Sequence, residues 1–185
     1  MTPTYIGIDP GLDGAIALLS YQNGVMTVKT FDMPTFLITV QRTPKKLDDF
    51  TLEADRKRQS KTTQRQRLDL HQINALLYQY RSGVIHAVVE DPHAMPKQGV
   101  SSSFSFGFVC GVLQAMIVAH GIPMTLIKPA LWKGKLGLTA DKDATRRRAS
   151  QLFPACASQW ARKCDDGRAE AALLAYWGQV EGVSL

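Results

Sequence analysis

The rhythm of apolar and polar positions changes twice along this chain. Tyr5 to Asp9 opens as an apolar run, Gly14 to Ser20 is a second, and Val25 to Phe31 a third. Pro10, Gly11, Asp13 and Gly14 separate the first two, and Asn23-Gly24 separates the others. Short runs bounded by turn formers predict strands, and Asn-Gly is a strong hairpin signal. Three strands joined by tight turns must be antiparallel neighbours. From Arg42 to Arg67 the chain becomes polar, and Arg56, Lys57, Arg58, Lys61, Arg65 and Arg67 fall in a window without an acid. This predicts a basic insertion at about 42–67. Ile73, Leu76, Leu77 and Tyr80 then recur at helical spacing, so a helix is predicted over Leu68 to Tyr80, ending near Gly83. Val84 to Glu90 predicts a strand buried on both faces. After a loop rich in Pro, Gly and Ser, a mostly buried helix is predicted over Ser103 to His120 with Gly121 as its C-cap. A strand at Ile122 to Ile127 and helices at Asp141 to Phe153 and Gly167 to Gln179 complete the order β-β-β-α-β-α-β-α-α.

Neither an internal repeat nor a second-domain boundary interrupts this order, so residues 1–185 read as one domain. The content of 45% apolar and 21% charged residues is that of a globular protein. A net charge of +6 favours a polyanionic partner. Cys110, Cys156 and Cys164 form no close pair and no zinc-ligand pattern with the four histidines, which predicts inert thiols in a reducing compartment. The apolar stretch from Phe108 to Ala119 is shorter than a bilayer requires, and the first strand begins at Tyr5, so no membrane or leader segment is expected. The expected location is the cytoplasm, in association with the nucleoid.

Three acidic positions carry the chemistry. Asp9 ends an apolar strand, where an ionised carboxylate costs several kcal/mol (roughly, for a partly buried charge) unless something positive compensates. Capping of the Pro10-Gly11 turn is the alternative role. Glu90 is delivered to the carboxyl end of another buried strand, the usual location of sites in open α/β sheets. If the last helix begins near Asp166, then Asp166 and Glu170 stand four apart on one face. A bound cation would account for that like-charge pair, and the helix dipole for either acid alone. Taken together, Asp9, Glu90, Asp166 and Glu170 form the oxygen-ligand set that a pair of Mg²⁺ ions needs, with Asp9 bridging. The expected chemistry is two-metal phosphodiester hydrolysis.

The segment Tyr-Ile-Gly-Ile-Asp-Pro-Gly at 5–11 resembles the opening of the RuvC-type Holliday junction resolvases. Val88-Val89-Glu90 is similar to their second acidic strand. Lys128-Pro129, Trp132-Lys133 and Thr139-Ala140-Asp141-Lys142 resemble their basic stretch and the helix after it. Gly167-Arg168-Ala169-Glu170-Ala171 is most similar to the plant organellar branch. The resemblance covers roughly residues 4–20 and 84–178. It implies an α/β ribonuclease H-like fold, a mixed five-stranded sheet with helices on both faces. It also implies a homodimer that grips four-way junction DNA and nicks two strands symmetrically with Mg²⁺ or Mn²⁺, leaving a 5′-phosphate and a 3′-hydroxyl. The bacterial members carry two aspartates three apart in the last helix, whereas this chain has Asp166 and Glu170 four apart. That departure leaves Asp165 as an alternative to Asp166.

Lys97, Lys133, Lys135, Lys142 and Arg146 are the candidate phosphate contacts, with Lys142 and Arg146 on one face of a helix whose other side carries Thr145, Ala149 and Leu152. Solvated basic side chains are the alternative for each. The loop at 93–99, with Phe104 and Phe106 beyond it, follows a candidate catalytic acid and could wedge between unstacked bases or simply pack in the core. The insertion at 42–67 could clamp a DNA arm or cover a dimer. Rival functions are a YqgF-like nuclease acting on RNA or RNA–DNA hybrid with the same acids, and a DNA-binding module without catalysis. An actin- or hexokinase-type phosphotransferase also opens with Gly-x-Asp-x-Gly, but it requires a duplicated fold that this chain is too short to hold.

Overall fold

The computed structural model describes residues 4–41, 62–91, 99–139 and 141–181. Seven strands run β1 (Thr4–Asp9), β2 (Ala15–Gln22), β3 (Val25–Asp32), β4 (Thr35–Gln41), β5 (Thr62–Leu68), β6 (Val84–Glu90) and β7 (Met124–Ile127). Five helices accompany them: α1 (Leu70–Tyr80), α2 (Val100–Ala119), α3 (Pro129–Lys135), α4 (Lys142–Leu152) and α5 (Asp166–Val180). Short 3₁₀ turns occupy Pro154–Trp160 and Lys163–Asp165.

Side-chain alternation in β1 and β2 determines the layering. Ile6, Ile8, Ile16 and Leu18 face one side, while Ala15, Ala17 and Leu19 face the other with Tyr5. A sheet apolar on both faces must be covered on both. Helices α1 and α2 cover the first face through Ile73, Leu77, Val109, Leu113 and Ile117. Helices α3, α4 and α5 cover the second, with Trp132, Ala149 and the Ala169–Ala175 stretch of α5 in its core.

The sheet order is β3-β2-β1-β6-β7. The first three strands are antiparallel, and Asn23-Gly24 turns β2 into β3 with φ of 52° and 78°. Positive φ at both central residues is what a tight type I′ hairpin requires. Strand β6 joins β1 in parallel with Gly7 opposite Val88, and β7 joins β6 in parallel. The mixed five-stranded sheet expected from the element order is therefore present.

Three features depart from the sequence reading. First, β4 and β5 pair antiparallel as a separate two-stranded ribbon, so part of the basic insertion is strand. Residues 42–61, with the cluster Arg56, Lys57, Arg58 and Lys61, lie outside the described residues. Beyond Thr62 and Thr63, the Arg- and Gln-rich β5 is poor in β-forming side chains, and its state follows from pairing with Phe36, Ile38 and Val40 on β4. Second, Pro129 at the first helical turn starts the unexpected α3. Third, α2 begins at Val100 and reaches twenty residues, long and apolar enough by composition to cross a membrane. Here Val109, Leu113 and Ile117 pack one of its faces onto the sheet.

Helix α5 lies unusually close to the sheet. A Cβ on Gly7 would come within 2.0 Å of the Ala171 carbonyl oxygen and 2.4 Å of the Ala175 amide nitrogen. A Cβ on Gly167 would meet the Asp13 carbonyl oxygen at 3.0 Å and Asp9 Oδ2 at 3.2 Å. This close seating brings the start of α5 to the end of β1.

A candidate active site of three convergent carboxylates

Register places the first two acids. Ile8 lies opposite Val89 in the parallel β1–β6 pair, so Asp9 and Glu90 leave the carboxyl ends of adjacent strands at the same level. Side-chain alternation sends both toward the α5 face, the side on which Val88 is buried. Glu170, one turn into α5, completes the group. Each of Asp9, Glu90 and Glu170 offers a carboxylate oxygen, and these oxygens lie within 4.8 Å of one another.

The surroundings explain why such a group can exist. Burial, then the neighbouring charges of Glu170 and Glu90, push the Asp9 carboxyl from its ordinary 3.8 up to about 7. The Gly11 amide and Lys133 oppose that rise. Burial also raises Glu90, against the indole of Trp132, whose Nε1 donates to Glu90 Oε1 at 3.0 Å. Lys133 Nζ donates to Glu170 Oε1 at 3.0 Å and sits 5.1 Å above the Trp132 ring. The three acids therefore crowd together in a partly desolvated pocket with, among the described residues, the Lys133 ammonium in contact. Hard oxygen donors at this spacing suit a divalent ion such as Mg²⁺, and the residues present fit that group.

Asp166 stands one turn before Glu170 and is paired with Lys142, outside the tight trio. That pairing, foremost among several acids, holds the Lys142 ammonium above its ordinary range. Asp165, the alternative ligand, is buried elsewhere. The Arg162 guanidinium, through Nη2 at 2.7 Å, and the Arg162 backbone amide at 3.0 Å hold its carboxyl down to about 2. A depressed carboxyl stabilises the fold above its unfolded value near 3.8 and loses that contribution as pH falls toward 2. Asp165→Asn is thus expected to lower the melting temperature at neutral pH by roughly 2–4 °C, the equivalent of about 1 kcal/mol. Its Mg²⁺ affinity by calorimetry should stay unchanged, and a loss of metal binding would reinstate Asp165 as a ligand.

The other residues singled out from the sequence are scattered. Lys133 and Lys142 touch the acids, as just described. Lys135 pairs with Glu181 at the surface. Arg146 is turned into the protein, where Nη1 donates to the Ala161 carbonyl at 3.2 Å and Nη2 pairs with Asp143. Lys97 and the rest of the 92–98 loop lie outside the described residues. Phe104 is 77% exposed at the start of α2. Sequence reasoning missed Trp132 as the partner of Glu90, although a buried indole N–H usually takes an acceptor. It also missed Arg168, which donates from Nε to Asp32 Oδ1 at 2.6 Å and ties α5 to the end of β3.

A mixed sheet in this order, flanked by helices on both faces and carrying acids at the ends of β1 and β6, defines an α/β domain of the ribonuclease H-like, RuvC-type fold. Solved structures of that kind superpose along nearly the whole chain. Thermus thermophilus RuvC matches with a TM-score of 0.54 at 11% identity, covering 98% of each chain. T. thermophilus RuvC in complex with Holliday junction substrate gives 0.54 at 14% identity, again over 98% of each. The yeast mitochondrial Holliday junction resolvase Ydc2 gives 0.53 at 13% identity, over 98% of this chain and 81% of that one. No protein-family model matches the sequence, and no curated protein sequence does.

Proposed function

We propose that this protein is a Mg²⁺-dependent DNA endonuclease that resolves four-way junctions, acting as a homodimer and nicking two strands symmetrically. The observation that carries the reading is the convergence of Asp9, Glu90 and Glu170, distant in sequence, within 4.8 Å. Their place on a RuvC-type fold supports junction DNA as the substrate, since one solved relative in fold is bound to such a junction. The exposed apolar side chains Phe104, Phe108 and Val118 on α2 support self-association through that helix. Association with the nucleoid in the cytoplasm goes with this substrate.

Asp9, Glu90 and Glu170 would hold divalent ions, with Asp166 joining them once Lys142 turns away to a DNA phosphate. When bound, such ions supply Lewis acidity for in-line attack of water on the phosphodiester and for departure of the 3′-oxygen. The chain's own groups do the rest. Trp132 holds one oxygen of Glu90 and leaves the other to face the pocket. Lys133 neutralises Glu170 before metal arrives and is placed to meet a phosphate oxygen afterwards. Lys142, 70% exposed at its side chain and paired with Asp166, would reach a DNA backbone near the acids. Lys142→Ala is expected to flatten the dependence of log affinity on log salt by about one unit, as loss of one phosphate contact does. An unchanged slope would remove that contact.

Cleavage of a four-way junction, a linear duplex and an RNA–DNA hybrid, each with and without Mg²⁺, tests the proposal. Paired symmetric nicks confined to the junction and dependent on Mg²⁺ are the expected result. Cutting of the hybrid alone would move the assignment to an RNA-directed nuclease using the same acids. Absence of divalent-metal binding by calorimetry would leave a DNA-binding module.

A further inference from the structure

One cavity lies outside the site just described and reaches the turn that follows Asp9. It measures about 290 Å³ and is lined by Arg65, Gln66 and Arg67 of β5, Ser101, Ser102 and Ser105 of α2, and an apolar floor that includes Leu12 and Phe108. Among the described residues, no acid lines it. Leu12 belongs to the turn that leaves Asp9, so the cavity opens onto the loop that carries a metal-site carboxylate.

The chemistry of its walls is that of an anion site. Arg65 and Arg67 are two residues apart on a strand, so their side chains leave the same face about 7 Å apart. That separation is close to the spacing of neighbouring phosphates on one DNA strand, roughly 6–7 Å through space because the backbone winds around an axis with ~3.4 Å of rise per phosphate. Both arginines are exposed, and neither pairs with an acid among the described residues. Ser101, Ser102 and Ser105 offer neutral hydroxyl donors in the same cavity, the kind that contacts phosphate and sugar oxygens, while the Gln66 amide donates to Thr35 Oγ1 at 2.8 Å. Positive charge without local acids is complementary to a polyanion and to little else.

We infer that the β4–β5 ribbon and the first turns of α2 form a second DNA-backbone subsite, taking consecutive phosphates of the strand that passes Asp9. This inference rests on the nuclease reading. It goes beyond that reading by giving the ribbon a substrate-holding role and naming Arg65 and Arg67 as its cations. The subsite is sequence-independent, because its donors meet phosphates and not base edges.

The test uses the full chain and a four-way junction, with an Arg65→Gln/Arg67→Gln double variant and an Arg65→Lys/Arg67→Lys control. Junction binding is followed across a salt series, Mg²⁺ binding by calorimetry, and oligomeric state by sedimentation. The Gln variant should reduce the salt slope by about two units and weaken binding at physiological salt at least tenfold. Mg²⁺ affinity should be unchanged, and the Lys control should restore most of the slope. A Gln variant with the wild-type slope overturns the subsite, and so does one whose only defect is dissociation of the dimer, which would make the ribbon a self-interface. Failure of the wild type itself to bind or cut junctions would overturn the nuclease reading along with it.

Discussion

Asp9→Asn is expected to abolish junction cleavage while making the metal-free fold more stable than the wild type. Loss of activity should exceed the ~10–100-fold that follows removal of a group outside the ligand set, because Asp9 is one of the three acids proposed to hold the metal. Gain in stability follows from the same crowding. Asp9 is raised from 3.8 to about 7 by burial and by Glu170 and Glu90. A raised carboxyl favours the fold while protonated, and this contribution is lost as pH climbs from about 4 through about 7. The full effect of such a rise is ~4 kcal/mol. Asp9 keeps part of its surface in water, so about half of that, ~2 kcal/mol, is the expected gain for Asn above pH 7. Thermal unfolding across pH 4–9 checks the sign: metal-free wild type should lose stability relative to the variant as pH rises through 7. Mg²⁺ should restore the wild type and leave the variant nearly unmoved. A variant that cuts normally, or that is less stable than metal-free wild type at pH 8, would sink the proposed metal-holding role.

Gly7→Ala carries the second large effect, and it acts through packing. Its new methyl would stand 2.0 Å from a backbone oxygen of α5 and 2.4 Å from a backbone nitrogen. Neither atom can rotate away, so the helix must lift from the sheet. Overpacking of this kind costs about 3 kcal/mol or more, the upper end of the usual range. For a chain of this size that is a fall in melting temperature of roughly 6–12 °C. Activity should fall further than stability predicts, because Glu170 rides on the displaced helix and a 1 Å misplacement can cost ~100-fold. Gly178→Ala is the comparison: its methyl would meet the Val88 Cγ2 at 2.6 Å, a side-chain end that can move. Equal losses in the two variants would show that the close approach at Gly7 has no special weight.

Much of this architecture is legible in the local sequence. Strand runs at 5–9, 14–20 and 25–31, the Asn-Gly hairpin and the helical spacing of Ile73, Leu76, Leu77 and Tyr80 all carry local signals, and each element formed within a few residues of its expected place. The start of α1 shifted to Leu70 because Asp69 accepts the Gln72 amide at 3.0 Å and caps the helix there. The β4–β5 ribbon escaped because β5 has polar, strand-poor residues whose state depends on a partner more than twenty residues away.

The sequence by itself determined that acids would stand at the ends of two buried strands and in the first turns of the last helix, because strand periodicity and helix spacing are local properties of the chain. Which of those acids meet was decided only in three dimensions. The parallel register of β1 and β6, the glycine at position 7 and the depth at which α5 seats on the sheet brought Glu170 to Asp9 and Glu90. The same packing gave Asp165 to Arg162 and Asp166 to Lys142. Adjacent residues in a chain point in different directions once a helix begins, and only the surface against which the helix packs selects the direction that reaches the site.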